Sequence, residues 1–510
     1  MCAPFGETGA MTSTVHSTSR PQVVLGLGLA TALLAALTVI RLIGLKFSVV
    51  DLFFDEAQYW AWSREPAFGY FTKPPLLAWI IAAAEPLCGS SEACVRAPAP
   101  ILYFGTCLLV FAIARQLYDD TVAFFAALST ALTPGVIFSA RIISTDVPLL
   151  FFWALALLAY AKLVAGGDRR WSAVLGVAIG FGMLAKYAMV YFLLGAALAA
   201  WLDREARLLL RRRDVWLGLA LAALIVAPNI VWNLTHEFAT FRHTGDNIQG
   251  SGFKLNPLRA LEFVATQFGV FGPILFAVML GALARLTSPA LTRADRLMLA
   301  FAIPPLALIT ATSIASRAFA NWAATAYISG VVVVVALMIR HGAWRWLAAS
   351  LAMGVVAQAV VLVSDTRATR VTLPGLGDVY RRTLGWRILG AEAGRLARQV
   401  GARAIVGDQR DDVASLLYYW RDQPEPVVAW PSGASPTHQF ELSRALSDAT
   451  PRPLLFVSRC PGTARLTAQF ATVESLGVFD TPTGPTSKRA YNAYKLDHPR
   501  GPIGPLGPCG

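Results

Sequence analysis

The stretch that decides the fold is Phe54-Asp55-Glu56-Ala57-Gln58-Tyr59-Trp60, followed by Gly69-Tyr70-Phe71-Thr72-Lys73-Pro74-Pro75. It comes directly after the first long apolar segment, residues 23–45. Two adjacent carboxylates, a lysine and several aromatic side chains therefore lie where the chain leaves a membrane. Ionisable groups near membrane depth are energetically costly, so this position indicates a functional loop.

The composition is typical of a polytopic membrane protein. Of the 510 residues, 55% are hydrophobic and only 15% are charged, whereas soluble proteins carry about 25% charged residues. Several apolar runs approach the roughly 20 residues that span a bilayer. The formal net charge is +13, but the chain carries no recognition motif for nucleic acid, and we predict no such partner.

Hydropathy predicts an α-helical membrane protein with about eleven spans, or up to thirteen, and interfacial helices in the first outer loop. Arginines concentrate in alternate loops, so the positive-inside rule places the N-terminus in the cytoplasm and the C-terminal region outside. The predicted spans are residues 23–45, 97–117, 121–138, 147–165, 171–185, 187–202, 214–233, 258–284, 297–314, 322–340 and 344–363.

Composition divides the chain into four parts. Residues 1–22 are polar and predicted to be disordered, and residues 23–363 form the membrane domain. Residues 365–500 are predicted to form a small α/β domain, because short β-like runs alternate with helical patterns. Residues 501–510 are rich in Gly and Pro and are predicted to be a flexible tail. The β-like runs are 404–406, 427–430, 454–457 and 490–494, and the helical patterns are 411–420 and 439–448.

The six cysteines form no Cys-x-x-Cys motif and no Cys/His zinc spacing. Cys88 and Cys94 flank a short turn in the first outer loop. They would form a disulfide if that turn faces an oxidising compartment. Two unpaired small residues near a membrane surface are the alternative.

The predicted topology collects polar side chains on the outer side of the membrane. A carboxylate there can take a proton from an acceptor hydroxyl or amine, and a lysine can neutralise a phosphate that leaves with negative charge. The set therefore fits transfer of a group from a lipid phosphate. The chain has no Walker or Rossmann fingerprint for a cytosolic nucleotide. These side chains are Asp55, Glu56, Lys73, Arg141, Asp146, Lys186, Asn321 and the polar residues of the 234–257 loop.

Each of these residues also has an ordinary structural explanation. Asp55 can cap an interfacial helix, in a capping box with Gln58. Asp146 can cap the span that follows it, and Lys73 can be an anchor that extends to the interface. The 234–257 loop can be a solvated loop with a few ion pairs.

Three segments carry a resemblance to a known family: residues 55–59 (Asp-Glu-Ala-Gln-Tyr), 70–77 (Tyr-Phe-Thr-Lys-Pro-Pro-Leu-Leu) and 140–146 (Ala-Arg-Ile-Ile-Ser-Thr-Asp). Residues 180–186 and 321–327 add weaker matches. On these segments the chain resembles the glycosyltransferase C superfamily. It is similar to the bacterial protein O-mannosyltransferase-like proteins and the lipid A aminoarabinose transferases, over about residues 25–360.

The resemblance implies an inverting transfer of a sugar from a polyprenyl-phosphate donor, at the periplasmic face of the bacterial inner membrane. The acceptor would be lipid A, another glycan, a membrane lipid or a protein. Asp55 is the leading catalytic residue, with Asp146 and Glu56 as further acidic candidates. Lys73 is the leading contact to the donor phosphate, with Arg141 and Lys186 beside it. Further predicted contacts to donor or acceptor are Tyr59, Tyr70, His243 and Asn321.

Two departures from the aminoarabinose transferases bear on the donor sugar. Those enzymes typically have Arg where this chain has Gln58, and Glu where it has Thr72. We therefore predict another donor sugar, a hexose or a hexuronic acid. The missing glutamate also argues against a metal bound through that position. A divalent metal stays an open alternative, and no other cofactor is predicted.

Two other classes of function compete with a transferase. A transporter or flippase of a lipid-linked or anionic solute predicts ionisable residues deep inside the spans. A scaffold protein whose outer domain binds a partner leaves the loop carboxylates unexplained. The predicted spans are mostly free of charged residues, which favours the transferase.

Overall fold

The computed structural model describes residues 26–238, 240 and 255–506. The predicted disordered segment 1–22, the candidate His243 and the last four residues of the predicted tail lie outside these ranges. The membrane part consists of the helices α1 (Leu27–Phe47), α2 (Phe54–Ser63), α3 (Leu76–Cys88), α4 (Glu92–Arg96), α5 (Pro98–Leu117), α6 (Asp120–Ala131), α7 (Pro134–Ser139), α8 (Asp146–Val164), α9 (Arg170–Ala185), α10 (Tyr191–Leu202), α11 (Arg204–Leu208), α12 (Arg213–Thr235), α13 (Pro257–Val270), α14 (Pro273–Leu283), α15 (Arg293–Ala315), α16 (Ala326–Arg340) and α17 (Trp344–Thr366).

Helices lie in all eleven predicted segments, and the protein is a polytopic membrane protein. Among the described residues, six helical stretches are long and apolar enough to cross a membrane, and shorter apolar helices lie in five other predicted segments. Two predicted spans are broken. The break before Pro134 arises because proline has no backbone N–H that could donate a hydrogen bond to the preceding turn. The break at Gly272 has a positive φ of 95°, which glycine adopts without strain. The six long stretches are Leu27–Phe47, Glu92–Leu117, Asp146–Val164, Arg213–Thr235, Arg293–Ala315 and Trp344–Thr366.

One charged side chain, Arg41, is buried inside the first span. Its Nε donates to Gln358 Oε1 at 2.8 Å, and its NH2 donates to the carbonyl oxygen of Ala131 at 2.6 Å. Ala131 ends α6, so the guanidinium also meets the negative end of a helix dipole. Arg41 therefore joins α1, α6 and α17, and its charge has a structural explanation.

Helices α9 and α12 approach each other through glycines. A Cβ added to Gly176 would lie 2.1 Å from the carbonyl oxygen of Gly218. A Cβ added to Gly218 would lie 2.3 Å from the carbonyl oxygen of Ser172. Small residues that let backbones approach closely are the usual means of helix association in lipid.

The C-terminal region folds around a five-stranded sheet. Its strand order is β2-β1-β3-β5-β4; β1 pairs in parallel with β2 and β3, and β5 pairs antiparallel with β3 and β4. Strand β1 is buried along its whole length, as expected for a central parallel strand. The elements are α18 (Trp386–Val400), β1 (Ala404–Gly407), α19 (Arg410–Tyr419), β2 (Val427–Ala429), α20 (Gln439–Ser443), β3 (Leu454–Ser458), α21 (Ala464–Thr467), β4 (Phe470–Pro482) and β5 (Lys488–Pro499).

The four predicted β-like runs lie in β1, β2, β3 and β5. The helical pattern predicted over 439–448 is helical only at Gln439–Ser443. Strand β4 has no counterpart among the predicted runs. It forms a long hairpin with β5 at the edge of the sheet, and most of its residues are exposed or half-buried.

The sheet region rests on residues 46–95, the segment that is predicted to be the first outer loop of the membrane part. The rings of Trp60 on α2 and Tyr418 on α19 meet edge to face, with centroids 5.0 Å apart. The carboxylate of Asp51 accepts the backbone N–H groups of Trp386 and Arg387 at 2.9 and 3.2 Å, at the start of α18. In the same loop, a disulfide joins Cys88 and Cys94, which settles the alternative that their spacing left open.

We expect Gly176→Ala to destabilise the membrane part, because the new methyl group would force α9 and α12 apart. Overpacking of this kind costs about 1–3 kcal/mol. Thermal unfolding of the purified protein in detergent measures the change. Gly281→Ala is the matched control, since nothing lies within 4 Å of its added Cβ. Equal melting temperatures for the two variants would contradict the close helix crossing.

Candidate functional site

Asp55 and Glu56 follow each other in the first turn of α2 and have different partners. Glu56 is 1% exposed, and its carboxylate pairs with the Arg96 guanidinium at 2.7 Å. It also accepts the backbone N–H groups of Phe53 and Ile143, each at 2.9 Å. Phe53 is the N-cap of α2, and Glu56, three residues later, accepts its backbone N–H. The capping box predicted for Asp55 with Gln58 is therefore wrong.

The carboxylate of Asp55 is consequently available for other contacts. Its side chain is 34% exposed, and its Oδ1 lies 3.1 Å from NH1 of Arg410, which opens α19 in the C-terminal region. The same NH1 donates to Gln58 Oε1 at 3.1 Å. A residue about 350 positions away in the chain therefore contacts the leading candidate carboxylate.

Asp146 is held from both sides at the start of α8. Lys186 Nζ lies 2.7 Å from one of its carboxylate oxygens, and Asn321 Nδ2 donates to the other at 2.6 Å. Asp146 makes no cap hydrogen bond of its own, because Thr145 occupies the N-cap position. The capping explanation for Asp146 is therefore wrong, and three residues from three separate outer segments meet.

Lys73 lies among these groups. It interacts electrostatically with Lys186, Asp55, Asp146 and Arg410. Burial lowers the pKa of its ammonium and the Lys186 charge adds to this effect, while the two carboxylates oppose it. Within the part of the chain that the structure describes, the Lys73 ammonium has no hydrogen-bond or ion-pair partner.

Tyr59 belongs to the same group of side chains. Its hydroxyl interacts electrostatically with Asp55, Asp146 and Arg410, and burial raises its pKa well above the ordinary value. We call the seven side chains the outer cluster. They are Asp55, Tyr59, Lys73, Asp146, Lys186, Asn321 and Arg410.

Two buried donors on the same loop lack acceptors. Gln58 and Thr72 are 1% and 4% exposed, and neither Gln58 Nε2 nor Thr72 Oγ1 has a hydrogen-bond partner among the described residues. An unsatisfied buried donor costs about 1–3 kcal/mol. Such groups are therefore candidates for contacts with a ligand.

Arg141 has other partners than the outer cluster. Its guanidinium pairs with Asp365 at the end of α17 and lies 4.6 Å from the ring of Phe138. Asp365 also accepts a hydrogen bond from the Tyr380 hydroxyl at 2.7 Å. These contacts favour a structural role for Arg141 over the predicted contact with the donor phosphate.

Tyr70 lines a cavity of about 330 Å³ between the first outer loop, the end of α12 and the C-terminal region. Its ring stacks on Trp62 with centroids 4.5 Å apart, and its hydroxyl donates to the carbonyl oxygen of Trp62 at 2.9 Å. Trp232 and His236 form a second stacked pair in the lining, at 4.1 Å. The cavity therefore combines aromatic rings with polar groups.

Among residues 26–238, 240 and 255–506, no three His, Cys, Asp or Glu side chains are grouped closely enough to hold a metal ion. Thr72 places a hydroxyl where the aminoarabinose transferases have a glutamate. The described residues therefore offer no ready set of metal ligands.

Sequence reasoning missed two residues that organise the site. Arg96 follows the Cys88–Cys94 turn, and a charge at the start of a span could have indicated a buried partner. Arg410 had no such signal. It lies in a polar helix of a different region, and only the packing of that region on α2 brings it to Asp55.

Comparisons with known proteins agree with this architecture. Residues 72–232 match the family described as dolichyl-phosphate-mannose-protein mannosyltransferase. The chain is 35% identical to the lipid A galacturonosyltransferase RgtD of Rhizobium johnstonii, over 82% of this chain and 89% of that protein. It is 30% identical to the lipopolysaccharide core galacturonosyltransferase RgtA of the same organism, over 39% and 40%. The crystal structure of ArnT from Cupriavidus metallidurans bound to undecaprenyl phosphate superposes with a TM-score of 0.67 at 15% identity, over 92% of this chain and 98% of that one.

We expect Arg96→Met to destabilise the protein by about 3–5 kcal/mol, because it leaves the Glu56 carboxylate buried without its partner. Chemical unfolding in detergent, followed by tryptophan fluorescence, measures the loss. Arg395→Met is the control, since Arg395 pairs with Glu392 at an exposed surface and such pairs contribute about 0–1 kcal/mol. The double variant Arg96→Met/Glu56→Met should recover part of the stability. Similar losses for Arg96→Met and Arg395→Met would contradict the organising role of the pair.

Proposed function

This chain belongs to the glycosyltransferase C superfamily of membrane glycosyltransferases, and from that premise we propose that it transfers a sugar from a polyprenyl-phosphate carrier to lipid A or lipopolysaccharide. The observation that carries the proposal is the outer cluster, in which the Lys73 ammonium interacts electrostatically with two carboxylates and has no ion-pair partner in the described ranges. Such a set suits proton removal from an acceptor beside a departing phosphate.

We place this reaction at the periplasmic face of the bacterial inner membrane. The proposed topology has eleven spans, a cytoplasmic N-terminus and a periplasmic C-terminal region. It is supported by the arginines that concentrate in the loops on the opposite side from the outer cluster. With an odd number of spans, the outer cluster and the sheet region lie on the same side of the membrane.

Asp55 acts as the general base in this proposal. Its carboxylate takes the proton of an acceptor hydroxyl, and the acceptor oxygen forms a bond to the anomeric carbon of the sugar. The bond from that carbon to the phosphate oxygen breaks on the opposite side, which inverts the anomeric configuration. The electron pair leaves with the polyprenyl phosphate. Partial exposure of Asp55 leaves room for an acceptor to approach.

Lys73 binds the phosphate as it leaves. Its ammonium has no protein partner in the described chain, so it can form charge-assisted hydrogen bonds to phosphate oxygens. Lys186 is already paired with Asp146. Because this pair partly neutralises its charge, Lys186 attracts the phosphate more weakly than Lys73 does. Asn321 fixes the other oxygen of Asp146 and thereby the orientation of the carboxylate.

The donor sugar in the proposal is a hexuronic acid and the acceptor is lipid A. The 35% identical relative is named as a lipid A galacturonosyltransferase, and ArnT, which shares the fold, holds undecaprenyl phosphate in its crystal structure. The neutral donors of Gln58 and Thr72 can contact the sugar.

We expect Asp55→Asn to reduce the rate of sugar transfer about 10²–10⁴-fold, the range that a general base contributes. The assay is transfer from an undecaprenyl-phosphate-linked sugar to lipid A, followed by mass spectrometry, at matched protein levels in the membrane. Asp422→Asn is the control, because the Asp422 side chain is 80% exposed and its ion-pair partner is the neighbouring Arg421. Wild-type activity in Asp55→Asn would remove Asp55 from the mechanism.

We expect Lys73→Met to weaken binding of undecaprenyl phosphate about 10- to 100-fold, because each hydrogen bond to a charged group contributes about 1.5–3 kcal/mol. Binding to the purified protein can be followed by displacement of a labelled lipid phosphate. Lys488→Met is the control, since Lys488 is a surface residue that pairs with Asp480. Unchanged affinity in Lys73→Met would show that the phosphate binds elsewhere.

A further inference from the structure

Arg410 is the charged side chain by which the C-terminal region enters the outer cluster. Its guanidinium contacts Asp55 Oδ1 and Gln58 Oε1, each at 3.1 Å, and lies 5.1 Å from the centroid of the Phe54 ring. Other arginines of this region that reach the first outer loop have different partners. Arg387 pairs with Glu92, and Arg444 pairs with Glu65.

Both polar contacts of Arg410 use the same nitrogen. NH1 carries two hydrogens, so the contacts to Asp55 and Gln58 account for it. In the described ranges, Nε and NH2 have no hydrogen-bond acceptor, and the side chain is 31% exposed. The Nε/NH2 edge of a guanidinium matches a carboxylate with two parallel hydrogen bonds. Arg410 thus has a carboxylate-binding edge with no acceptor among the described residues, beside the carboxylate of Asp55.

The negative charges of the proposed donor indicate what the Nε/NH2 edge of Arg410 can bind. A sugar joined to a polyprenyl phosphate carries one negative charge on the phosphate, and a uronic acid adds a second on its own carboxylate. Lys73 has no ion-pair partner among the described residues and suits the phosphate. Lys186 is engaged by Asp146 at 2.7 Å. Lys186 and Arg410 are each paired with one carboxylate. A guanidinium, unlike an ammonium, can also meet a second carboxylate with two parallel hydrogen bonds, and Nε and NH2 of Arg410 have no acceptor among the described residues.

We propose that Arg410 recognises the carboxylate of a hexuronic acid on the donor, and so selects it over the neutral hexose. This inference rests on the proposed function and adds the residue that distinguishes one donor sugar from another. The contacts of NH1 with Asp55 and Gln58 hold the guanidinium in position while its other edge binds the substrate. Arg410 is therefore a specificity residue supplied by the C-terminal region.

The test compares two donors on the full-length enzyme: undecaprenyl-phosphate galacturonic acid and undecaprenyl-phosphate galactose, which differ only at the C6 carboxylate. We expect the wild type to prefer the uronic acid. Arg410→Met should lower kcat/KM for the uronic acid about 10- to 100-fold, the effect of losing hydrogen bonds to a charged group. The loss for the galactose donor should be smaller, because it reflects only the contact of Arg410 with Asp55. Arg410→Lys should fall between, because it keeps the charge and loses the planar fork.

Binding measurements separate recognition from damage to the fold. Each donor is used to displace labelled undecaprenyl phosphate, which has no sugar, so a readout exists even for a donor that does not react. Arg410→Met should bind the bare lipid phosphate as the wild type does. Arg395→Met, on the exposed face of α18, is the matched arginine control and should leave both donors unaffected.

Three outcomes for the Arg410→Met variant would overturn the inference. Equal losses for both donors would mean that Arg410 only orients Asp55. Loss of binding to the bare lipid phosphate would mean that it supports the fold of the site, and unchanged selectivity would mean that it has no contact with the sugar. A wild-type enzyme that transfers galactose but not galacturonic acid would contradict the uronic acid donor and would leave the proposed transferase activity standing. A wild type that neither binds nor transfers either donor refutes the proposed function itself.

Discussion

The buried ion pair between Arg96 and Glu56 is the contact on which the geometry of the site depends. Arg96 is 2% exposed, and it also donates to two backbone carbonyls in the segment between α1 and α2. Glu56 accepts the backbone N–H of Ile143, in the loop before α8. A buried pair is tolerated where its remaining polar groups are satisfied. Here the other polar partners of Arg96 and Glu56 lie in the chain segments that carry Asp55 and Asp146. The Arg96–Glu56 pair therefore fixes the position of both carboxylates.

The second condition is the docking of the C-terminal region on the loop that this pair holds. Tyr419 at the end of α19 accepts the backbone N–H of Leu52 at 2.8 Å and donates to Glu92 at 2.6 Å. On the far side of α2, Gln439 accepts the backbone N–H of Phe71 at 2.8 Å. These contacts reach separate parts of the loop that carries Asp55 and Lys73. The site is therefore built by the membrane part and the sheet region together, and a membrane part alone would lack the cation at Asp55.

Sequence reasoning was effective where physical periodicity and topology determine position. Long apolar runs mark the helices, and the positive-inside rule groups Asp55, Lys73, Asp146, Lys186 and Asn321 on one side of the membrane before any distance is known. The structure brings these five residues together. Buried strands were visible because apolar β-branched runs are distinctive, whereas β4 was missed because an exposed edge strand carries no such pattern.

The remaining features depend on contacts between distant segments, which no local pattern encodes. Adjacent carboxylates on a helix point about 100° apart, but only the position of Arg96, 40 residues away, shows that Glu56 is the buried one. The sequence alone indicates that Arg141 is an available cation, whereas in the structure Asp365, 224 residues away, pairs with its guanidinium. In each case the sequence identified a charged residue correctly, and the tertiary fold decided whether that charge is neutralised or available.

The cation at Asp55 shows how such a long-range contact can replace a local one. The aminoarabinose transferases, which this chain resembles, typically have an arginine at the position of Gln58, on the turn that follows the carboxylate. Here Gln58 is neutral, and its side-chain oxygen accepts a hydrogen bond from Arg410. A guanidinium attached to α2 would move with that helix. A guanidinium attached to α19 instead reaches Asp55 only when the C-terminal region is docked, so the charge beside the carboxylate depends on the interface between the two parts of the protein.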